Sequence, residues 1–447
     1  MLRSQLGSEV FREVVKTYLE RHLHGNVVTE NLRAVIEETT GQSYDRFFDQ
    51  YVYHAHHPEL DITYSWDNQA KLAKLSIKQI QKVGDRVKLF HVPLPVRFTV
   101  DGRKAGHIIQ ITEKSEDFYF FFKSAPTLVR VDPDLTLLAK IKFKPSNDML
   151  EIQLNVMGDA LGRVIAAEKL GERRDGQTVE KLKKSLHCDP FFGVRAAASK
   201  ALREIGTDEA LEALVTSTLQ GDARVRIQVV KDIAGFDNPA ALVAILDILR
   251  TEENPTIRAA ALKGIPGHAD EDAQGMLLAA LDSTSFRHQV ADAAIAALKK
   301  IDDPRYILEL QSALAKDESK YTNQGFGAGL KALAYLARYS EDKLPVLQYI
   351  QPYTNHLNKR KRLAAIEALG TLGAPQSIAK LEKIAGTGKD SQASKAATSA
   401  INKIRAIRKP EEALKEVNEE LLELKKSHEE LKKAIEDLKK QANAKGE

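Results

Sequence analysis

The sequence predicts a mainly α-helical protein with one small all-β domain. Its predicted order is a helical end-piece, a β-sandwich, an array of helical repeats (an α-solenoid) and a C-terminal heptad helix. Three observations predict this fold class. Apolar residues recur at spacings of three and four in residues 1–57, alternate with polar residues in 58–148, and return in mutually similar segments across 149–408. The remaining residues, 409–447, carry an apolar seam with a seven-residue period.

The end-piece has the spacing of short packed helices. Val10, Val14 and Tyr18 are one helical turn apart, and Phe47 and Tyr51 repeat that spacing further on. The first residues, MLRSQL, carry no N-cap and are too short to fold alone. We therefore expect them to be the end of a helix whose beginning is missing from this chain, with Met1 an internal methionine.

The β domain is indicated by a change of period to two. The clearest run is Leu60, Ile62, Tyr64 and Trp66. Pro93 and Pro95 remove two backbone donors from a later strand, which predicts that this strand lies at a sheet edge. Asp101-Gly102 predicts a tight turn after it. The short alternating runs fit an antiparallel β-sandwich over 58–148.

The array is indicated by similar helical segments at intervals of 31 to 36 residues. Their aligned first residues, here called anchors, are Gly162, Val194, Val225, Ile257, Val290, Gly325, Lys361 and Ala393. Such helices bury one face against each neighbouring repeat, which a single repeat cannot do. Asp189-Pro190 and Asn254-Pro255 each combine an N-cap acceptor with a proline suited to the first helical position, so both predict a helix start.

These segments resemble HEAT repeats. In that family an arginine in second position commonly pairs with an acidic or amide side chain of the turn, and the resemblance implies this role for Arg163, Arg195, Arg226, Arg258 and Arg362. Ala291, Phe326 and Ser394 depart from the pattern, so we expect the arginine ladder to be interrupted in the second half of the array.

The C-terminal region predicts a heptad seam formed by Leu414, Leu421, Leu424, His428, Leu431, Ile435 and Leu438. Two interpretations remain open. The seam supports self-association through 411–440, with a parallel pair favoured because antiparallel pairing would oppose lysines, or it belongs to a single terminal helix. A seam histidine predicts that protonation weakens any self-association.

A second resemblance, to the gluzincin-type zinc aminopeptidases of the alanyl aminopeptidase family, covers about the first 145 residues. It is carried by these residues: MLRSQLGSEVF, Asn26-Val27-Val28-Thr29, Leu32, Gly41, Phe47-Phe48, His57-Pro58, Val129, Val131, Asp132 and Pro133. In that family such segments join the end of the catalytic helical domain to a β-sandwich. Tyr51 stands where tryptophan is common and His56 where glycine is common.

The family's activity needs an HExxH helix, in which two histidines share a zinc and the glutamate polarises water. None of the twelve histidines has that spacing, and the GxMEN strand that holds the substrate amine is also absent from the sequence. The sequence therefore predicts no catalytic, cofactor-binding or metal-binding residue in this chain, which we expect to be inactive alone. Zinc is expected only in a full-length relative.

Other candidates for chemistry favour structural roles. His54, His56 and His57 precede Pro58 in a predicted domain hinge, so capping of a helix end is favoured over a metal site. His22 and His24 end a helix. Cys188 has only His187 beside it, which argues against nucleophilic catalysis. The run Lys359-Arg360-Lys361-Arg362 predicts a solvated turn rather than a nucleic-acid patch.

Composition excludes several classes. The net charge of +4 is too small and dispersed for a nucleic-acid partner, and no run of about 20 apolar residues predicts a membrane span. The single cysteine excludes an internal disulfide and thiolate-rich zinc sites. No export signal is present in the sequence, so the cytoplasm is the default compartment while the localisation stays open.

Two functions are predicted. In the first, the chain is the non-catalytic C-terminal segment of a zinc-dependent aminopeptidase-like protein, whose sandwich and array shape peptide access and binding. In the second, it is a stand-alone HEAT-repeat scaffold for protein–protein interaction, with a peptide or protein on the concave face of the array.

Overall fold

The computed structural model describes residues 1–265, 271–386, 392–407, 424–428 and 432. It is mostly helical, with a small β domain of two sheets, so the predicted fold class is confirmed. The described residues form two compact units, divided between Ala213 and Leu214. Unit 1 contains the end-piece, the sandwich and the first helices of the array, and unit 2 contains the later helices.

The end-piece is a small helical cluster. Its helices are α1 (Leu2–Leu6), α2 (Ser8–Arg21), α3 (Thr29–Thr40) and α4 (Asp45–Phe48), followed by a π-helical turn, Asp49–Tyr53. Val14, Val35, Ile36, Tyr44 and Phe48 form its buried core. Gly41 ends α3 in the left-handed conformation, which glycine adopts without strain.

The sandwich consists of two sheets with an apolar core between them. Its strands are β1 (Glu59–Asp67), β2 (Leu72–Gln79), β3 (Val92–Val100), β4 (Arg103–Ile111), β5 (Ser115–Phe121), β6 (Leu128–Val131) and β7 (Lys140–Phe143). One sheet has the order β5-β2-β1-β7 and the other β4-β3-β6. Leu60, Ile62, Leu75, Leu94 and Phe98 are fully buried in the shared core.

The predicted edge position of the proline-containing strand is wrong. β3, which carries Pro93 and Pro95, is the central strand of its sheet. The carbonyl of Pro95 faces the β6 side of β3, where it accepts the Asp132 N–H at 2.8 Å. The nitrogens of Pro95 and Pro93 face that same side, because the N and C=O of one residue in an antiparallel strand point the same way and residues two apart repeat the direction. β6 pairs only with Val96 to Thr99, so the ladder does not extend to the prolines on that side. The full-length pairing with β4 is undisturbed.

The antiparallel expectation fails at one pair, because β1 and β7 run parallel. The rest of the sandwich lies between these two strands in the chain, which supplies the long connection that parallel pairing needs. The turn predicted at Asp101-Gly102 is confirmed. Both residues have positive φ, 47° and 74°, as the two central residues of a tight hairpin turn require.

The array is a succession of short helices. They are α5 (Asn147–Leu154), α6 (Ala160–Leu170), α7 (Gly176–Cys188), α8 (Phe192–Ile205), α9 (Asp208–Val215), α10 (Ala223–Ile233), α11 (Pro239–Thr251), α12 (Pro255–Lys263), α13 (Glu271–Leu281), α14 (Gln289–Ile301), α15 (Ile307–Lys316), α16 (Asn323–Leu336), α17 (Leu344–Ile350), α18 (Lys359–Leu372), α19 (Ile378–Gly386) and the helical residues 392–407.

The repeat register is visible in the helices that carry the anchors. These aligned helices are α6, α8, α10, α12, α14, α16, α18 and residues 392–407, and all eight anchors are buried. Within unit 2 consecutive aligned helices pack against one another from α10 to α18. The anchor face of each helix is therefore what joins neighbouring repeats.

Most aligned helices have an N-cap residue whose side chain accepts a hydrogen bond from the first turn. Asp159, Asp222, Asn254, Thr322 and Asn358 each accept a backbone N–H of the first turn. The predicted start at Asn254-Pro255 is confirmed, with Pro255 at the first helical position.

The other predicted start, at Asp189-Pro190, is displaced by two residues, since α8 begins at Phe192 and Asp189 ends α7. The carboxylate of Asp189 accepts the Phe191 N–H at 2.8 Å but also binds an arginine, which accounts for its position between the two helices.

Small residues allow the aligned helices to approach closely. A Cβ added to Gly264 would lie 2.5 Å from the Ala234 Cβ, and one added to Gly370 would lie 2.8 Å from the Ala400 Cβ. Neither neighbour is a flexible side chain that could move aside. The backbones are therefore in contact at these two crossings, where only glycine fits.

Most of the predicted heptad seam lies outside the described residues, namely Leu414, Leu421, Leu431, Ile435 and Leu438. Leu424 and His428 belong to the helical residues 424–428, where Leu424 is exposed. The seam and its oligomeric state therefore stay predictions. Among the described residues, no helix has both the length and the apolar character to cross a membrane.

Candidate functional site

The arginines after the anchors bind two kinds of partner. Arg163 is 1% exposed and donates to both carboxylate oxygens of Asp189, at 2.7 and 3.0 Å, and to the carbonyls of Val156 and Met157. Arg226 repeats the geometry with Glu252, at 2.8 and 3.4 Å, and with two carbonyls upstream. In both repeats the carboxylate lies 26 residues after the arginine.

The other arginines use part of this arrangement. Arg195 donates to the Asp189 carbonyl at 2.8 Å, and Arg362 donates to the His356 carbonyl at 2.8 Å. The Nε atoms of Arg195 and Arg258 are buried without a hydrogen-bond partner in the part of the chain that the structure describes. Four of the arginines thus tie their aligned helices to the preceding turn, and two of these four, Arg163 and Arg226, also bind the next turn.

The solvated turn predicted for Lys359-Arg360-Lys361-Arg362 is wrong. These residues form the first turn of α18, and the anchor Lys361 is only 6% exposed. Its ammonium pairs with Glu318 and lies 4.7 Å from the centroid of the Phe326 ring. Phe326 occupies the arginine position of its own repeat, and its ring forms a cation–π contact with Lys361 of the next repeat.

A cavity of about 550 Å³ on the aligned helices of unit 2 is here called the aligned-helix cavity. It opens across three consecutive aligned helices, α10, α12 and α14. Its floor is lined by small apolar side chains, including Ala234, Ala259, Ala260 and Ala293. Its polar lining residues are Lys231, Thr256, Lys263, Gln289 and Asp292.

The polar residues divide into a paired set and two lysines. The Thr256 hydroxyl donates to Gln289 Oε1 at 3.0 Å, which joins α12 to α14 across the cavity. Lys231 and Lys263 are exposed, and within the described part of the chain neither ammonium forms a hydrogen bond or an ion pair. The lysines are therefore the polar groups most available to a ligand.

Asp292 is directed away from the cavity towards α16. Its Oδ1 is shielded from solvent and has no hydrogen-bond partner among the residues that the structure describes, and a Cβ added to Gly325 of α16 would collide with it. Its Oδ2 accepts the Thr322 hydroxyl at 3.4 Å. Burial raises the pKa of the Asp292 carboxyl, although Thr322 and the charges of His288 and Lys263 act in the opposite direction.

The three histidines of the predicted hinge make separate contacts. His54 Nδ1 lies 2.9 Å from the Asp49 carbonyl oxygen at the end of the π-helical turn. His56 has a positive φ of 80° and its Nε2 lies 3.1 Å from Glu59 Oε1, while its ring packs on that of His57. Among the described residues, no group of three or more His, Cys, Asp or Glu side chains is placed to hold a metal ion.

The remaining candidates lie apart from the aligned-helix cavity. His22 ends α2 and packs against Tyr18, and His24 follows with a positive φ of 62°. Cys188 is exposed at the end of α7, beside a cavity of about 870 Å³ between α5 and α7 in unit 1. Asp132 accepts two backbone N–H groups and the Thr136 hydroxyl in the turn after β6.

The residues of the aligned-helix cavity were not singled out by the sequence. A signal was available, because Lys231, Lys263 and Ala296 each lie six residues after an anchor. That position faces the cavity in all three helices. The repeat alignment identified the buried face of each aligned helix. Comparing the exposed residues six positions after each anchor would have identified the cavity face.

Two family models match parts of the chain. The model for HEAT repeats matches residues 149–234 and 242–331, and the model for the vitellogenin TPR domain matches residues 315–434. The array therefore contains HEAT-type helical repeats, as the sequence predicted. HEAT repeats present extended surfaces that generally bind other proteins. No curated protein sequence shows significant similarity to the chain.

Among solved structures, the chain is similar to Legionella pneumophila aminopeptidase A in complex with aspartic acid, with 15% sequence identity and a TM-score of 0.52. The similarity covers 90% of this chain and 55% of that one. This chain thus spans about half the length of the structure it matches. At this identity the likeness concerns the fold alone, and the gluzincin assignment stays a prediction.

Proposed function

We propose that the array binds peptide or protein segments on its aligned helices, with the aligned-helix cavity as the docking point. The cavity itself carries the proposal. Its volume of about 550 Å³ is in the range of ligand sites, and it combines an apolar floor with a few polar groups, as such sites do. It extends over three repeats, which suits an extended segment better than a compact small molecule.

The experiment is photo-crosslinking of the full chain to a mixed-sequence peptide library that carries a benzophenone group. Crosslinks are expected on α10, α12 and α14. Ala296→Trp places a large ring at an exposed position of the cavity wall and should remove them. Lys300→Trp, at an exposed position of the same helix outside the cavity, is the matched control. Crosslinks that are insensitive to Ala296→Trp would contradict the proposal.

We further propose that this binding segment is the non-catalytic part of an aminopeptidase-like protein. Support comes from the fold likeness to an aminopeptidase and from the family resemblance of the end-piece and sandwich. An apolar stripe on and after α2 adds support, because its side chains are 36% to 70% exposed and available to pack against another protein segment. It consists of Val15, Leu19, Leu23, Val27 and Val28.

Two observations test this second step. The purified chain with zinc should release no amino acid from aminoacyl substrates, and release above a chelated control would contradict the proposal. In the coding DNA, an in-frame HExxH followed by a glutamate upstream of the Met1 codon is expected. A stop codon with a ribosome site there would favour the stand-alone scaffold, which the HEAT-type repeats also support.

A further inference from the structure

The aligned-helix cavity presents two exposed lysines at one register position. Lys231 lies six residues after the anchor Val225, and Lys263 lies six residues after the anchor Ile257. Both are exposed, both line the cavity, and neither is paired in the described part of the chain. Two ammonium groups on one wall repel each other unless an anion lies between them.

The next repeats show how close side chains at this position come. Lys331 and Glu367 also lie six residues after their anchors, in the consecutive helices α16 and α18, and their charged groups are 3.2 Å apart. Residues at this position in neighbouring aligned helices are thus within reach of each other. Lys231 and Lys263, in the consecutive helices α10 and α12, can therefore reach a common anionic group.

Asp292, the acidic residue on the cavity wall, forms no ion pair with either lysine among the described residues, although the charge of Lys263 acts on its carboxyl. Asp292 packs against α16 through an oxygen shielded from solvent, and burial raises its carboxyl pKa. The surface that a ligand meets is therefore positive above an alanine floor. That floor suits aliphatic side chains, and none of the described lining residues has an aromatic ring on which nucleic-acid bases could stack.

We propose that the aligned-helix cavity selects acidic peptide segments, with Lys231 and Lys263 binding side-chain carboxylates and the alanine floor accepting small apolar side chains between them. This specificity rests on the proposed peptide-binding function. Each lysine contributes as a charge-assisted hydrogen-bond donor at an exposed position of the cavity wall. We expect about a fivefold loss of affinity for each lysine removed.

The test uses the full chain and a fluorescein-labelled peptide of alternating alanine and glutamate, with an alanine–glutamine peptide carrying the same label for comparison. Fluorescence anisotropy should show tighter binding of the glutamate peptide at low ionic strength, and weaker binding as salt is added. Lys231→Gln and Lys263→Gln should each raise its Kd about fivefold. Lys331→Gln, at the same register position but already paired, is the matched control and should leave Kd unchanged.

A gain-of-binding variant guards against loss through misfolding. Ala296 occupies the same register position on α14 and is exposed, so Ala296→Lys adds a third ammonium without disturbing the core. It should lower the Kd of the glutamate peptide about fivefold and leave that of the glutamine peptide unchanged. An unchanged Kd for the glutamate peptide would count against the proposal.

The outcomes separate the two proposals. Equal Kd values for both peptides, lost together in Ala296→Trp, would keep peptide binding in the cavity but overturn acidic selectivity. Binding of neither peptide would overturn the selectivity, and the crosslinking result would then decide the broader function. Tighter binding of oligothymidylate than of the glutamate peptide, with the same lysine dependence, would make this a nucleic-acid site and overturn the proposal.

Discussion

Removing the carboxylate of Asp189 should destabilise unit 1 severely. The Asp189 side chain is 5% exposed and that of its partner Arg163 is 2% exposed, so Asp189→Ala leaves a guanidinium uncompensated in the interior. The variant also loses the hydrogen bond from the Phe191 N–H. Breaking a buried pair from one side costs about 3–5 kcal/mol. Because urea slopes are about 2–3 kcal/mol per molar, the unfolding midpoint should fall by about 1–2 M.

The assay is intrinsic fluorescence, because Trp66 is the only tryptophan in the sequence and lies in β1 of unit 1. Its signal therefore follows the unfolding of the unit that contains Arg163 and Asp189. Glu252→Ala is the matched control, since it breaks the equivalent pair with Arg226 in unit 2. That change should leave the Trp66 midpoint in place while lowering the overall helix content during urea titration.

A double variant checks the reasoning. The double variant with Arg163→Met and Asp189→Ala removes both charges. It should lose less unfolding free energy than the two single variants lose when their losses are added, by about 1–3 kcal/mol. Additive losses would show that the buried charge is not the cause. A Trp66 midpoint unchanged in Asp189→Ala would show that the sandwich and the first repeats of unit 1 do not unfold together.

Three further predictions concern the array and the heptad region. Gly325→Ala would place a methyl group against Asp292 Oδ1 and should lower the unfolding free energy by about 1–3 kcal/mol. Gly275→Ala changes a helical glycine in open space and should raise the unfolding free energy by about 0.5–1 kcal/mol. Calorimetry in which Gly325→Ala stabilises the protein and Gly275→Ala destabilises it would contradict this. Asp292→Asn should raise the melting temperature near neutral pH but not near pH 3. Burial raises the folded-state pKa of Asp292 above the ordinary value of an aspartate, so ionisation opposes folding as the pH rises. An equal effect at both pH values would refute this. His428→Leu replaces a polar residue of the predicted heptad seam by an apolar one and should strengthen self-association through 411–440, so sedimentation velocity should show a larger species than the unsubstituted chain forms, and a smaller species would contradict this.

The repeat period was the strongest sequence signal, and it placed the aligned helices well. All eight anchors lie in helices and are buried, including those of the repeats that lack the arginine. The reason is physical, because a residue that joins neighbouring repeats must return at the period of the repeat. The turn at Asp101-Gly102 was predictable for a similar reason, since its conformation depends on the two residues themselves.

Predictions that depended on neighbouring elements were less successful. The backbone donors that Pro93 and Pro95 lack did not keep β3 at the sheet edge, because β6 is only four residues long and pairs beyond the prolines. The length of that partner strand cannot be read from the proline positions. Lys361 looked solvated beside three other basic residues, yet Glu318 and Phe326, more than 30 residues upstream, provide a buried partner. The cavity is likewise formed by three helices, α10, α12 and α14, which lie far apart in the sequence, so the residues within any one of them do not reveal it.

The backbone contacts at Gly264 and Gly370 have a consequence for engineering. A combinatorial library that diversifies the ligand face can change Ala296 and the two cavity lysines freely, because those side chains end in solvent. It should hold both glycines fixed, since any larger residue there would push adjacent aligned helices apart. New specificities would then be obtained without changing the scaffold that presents them.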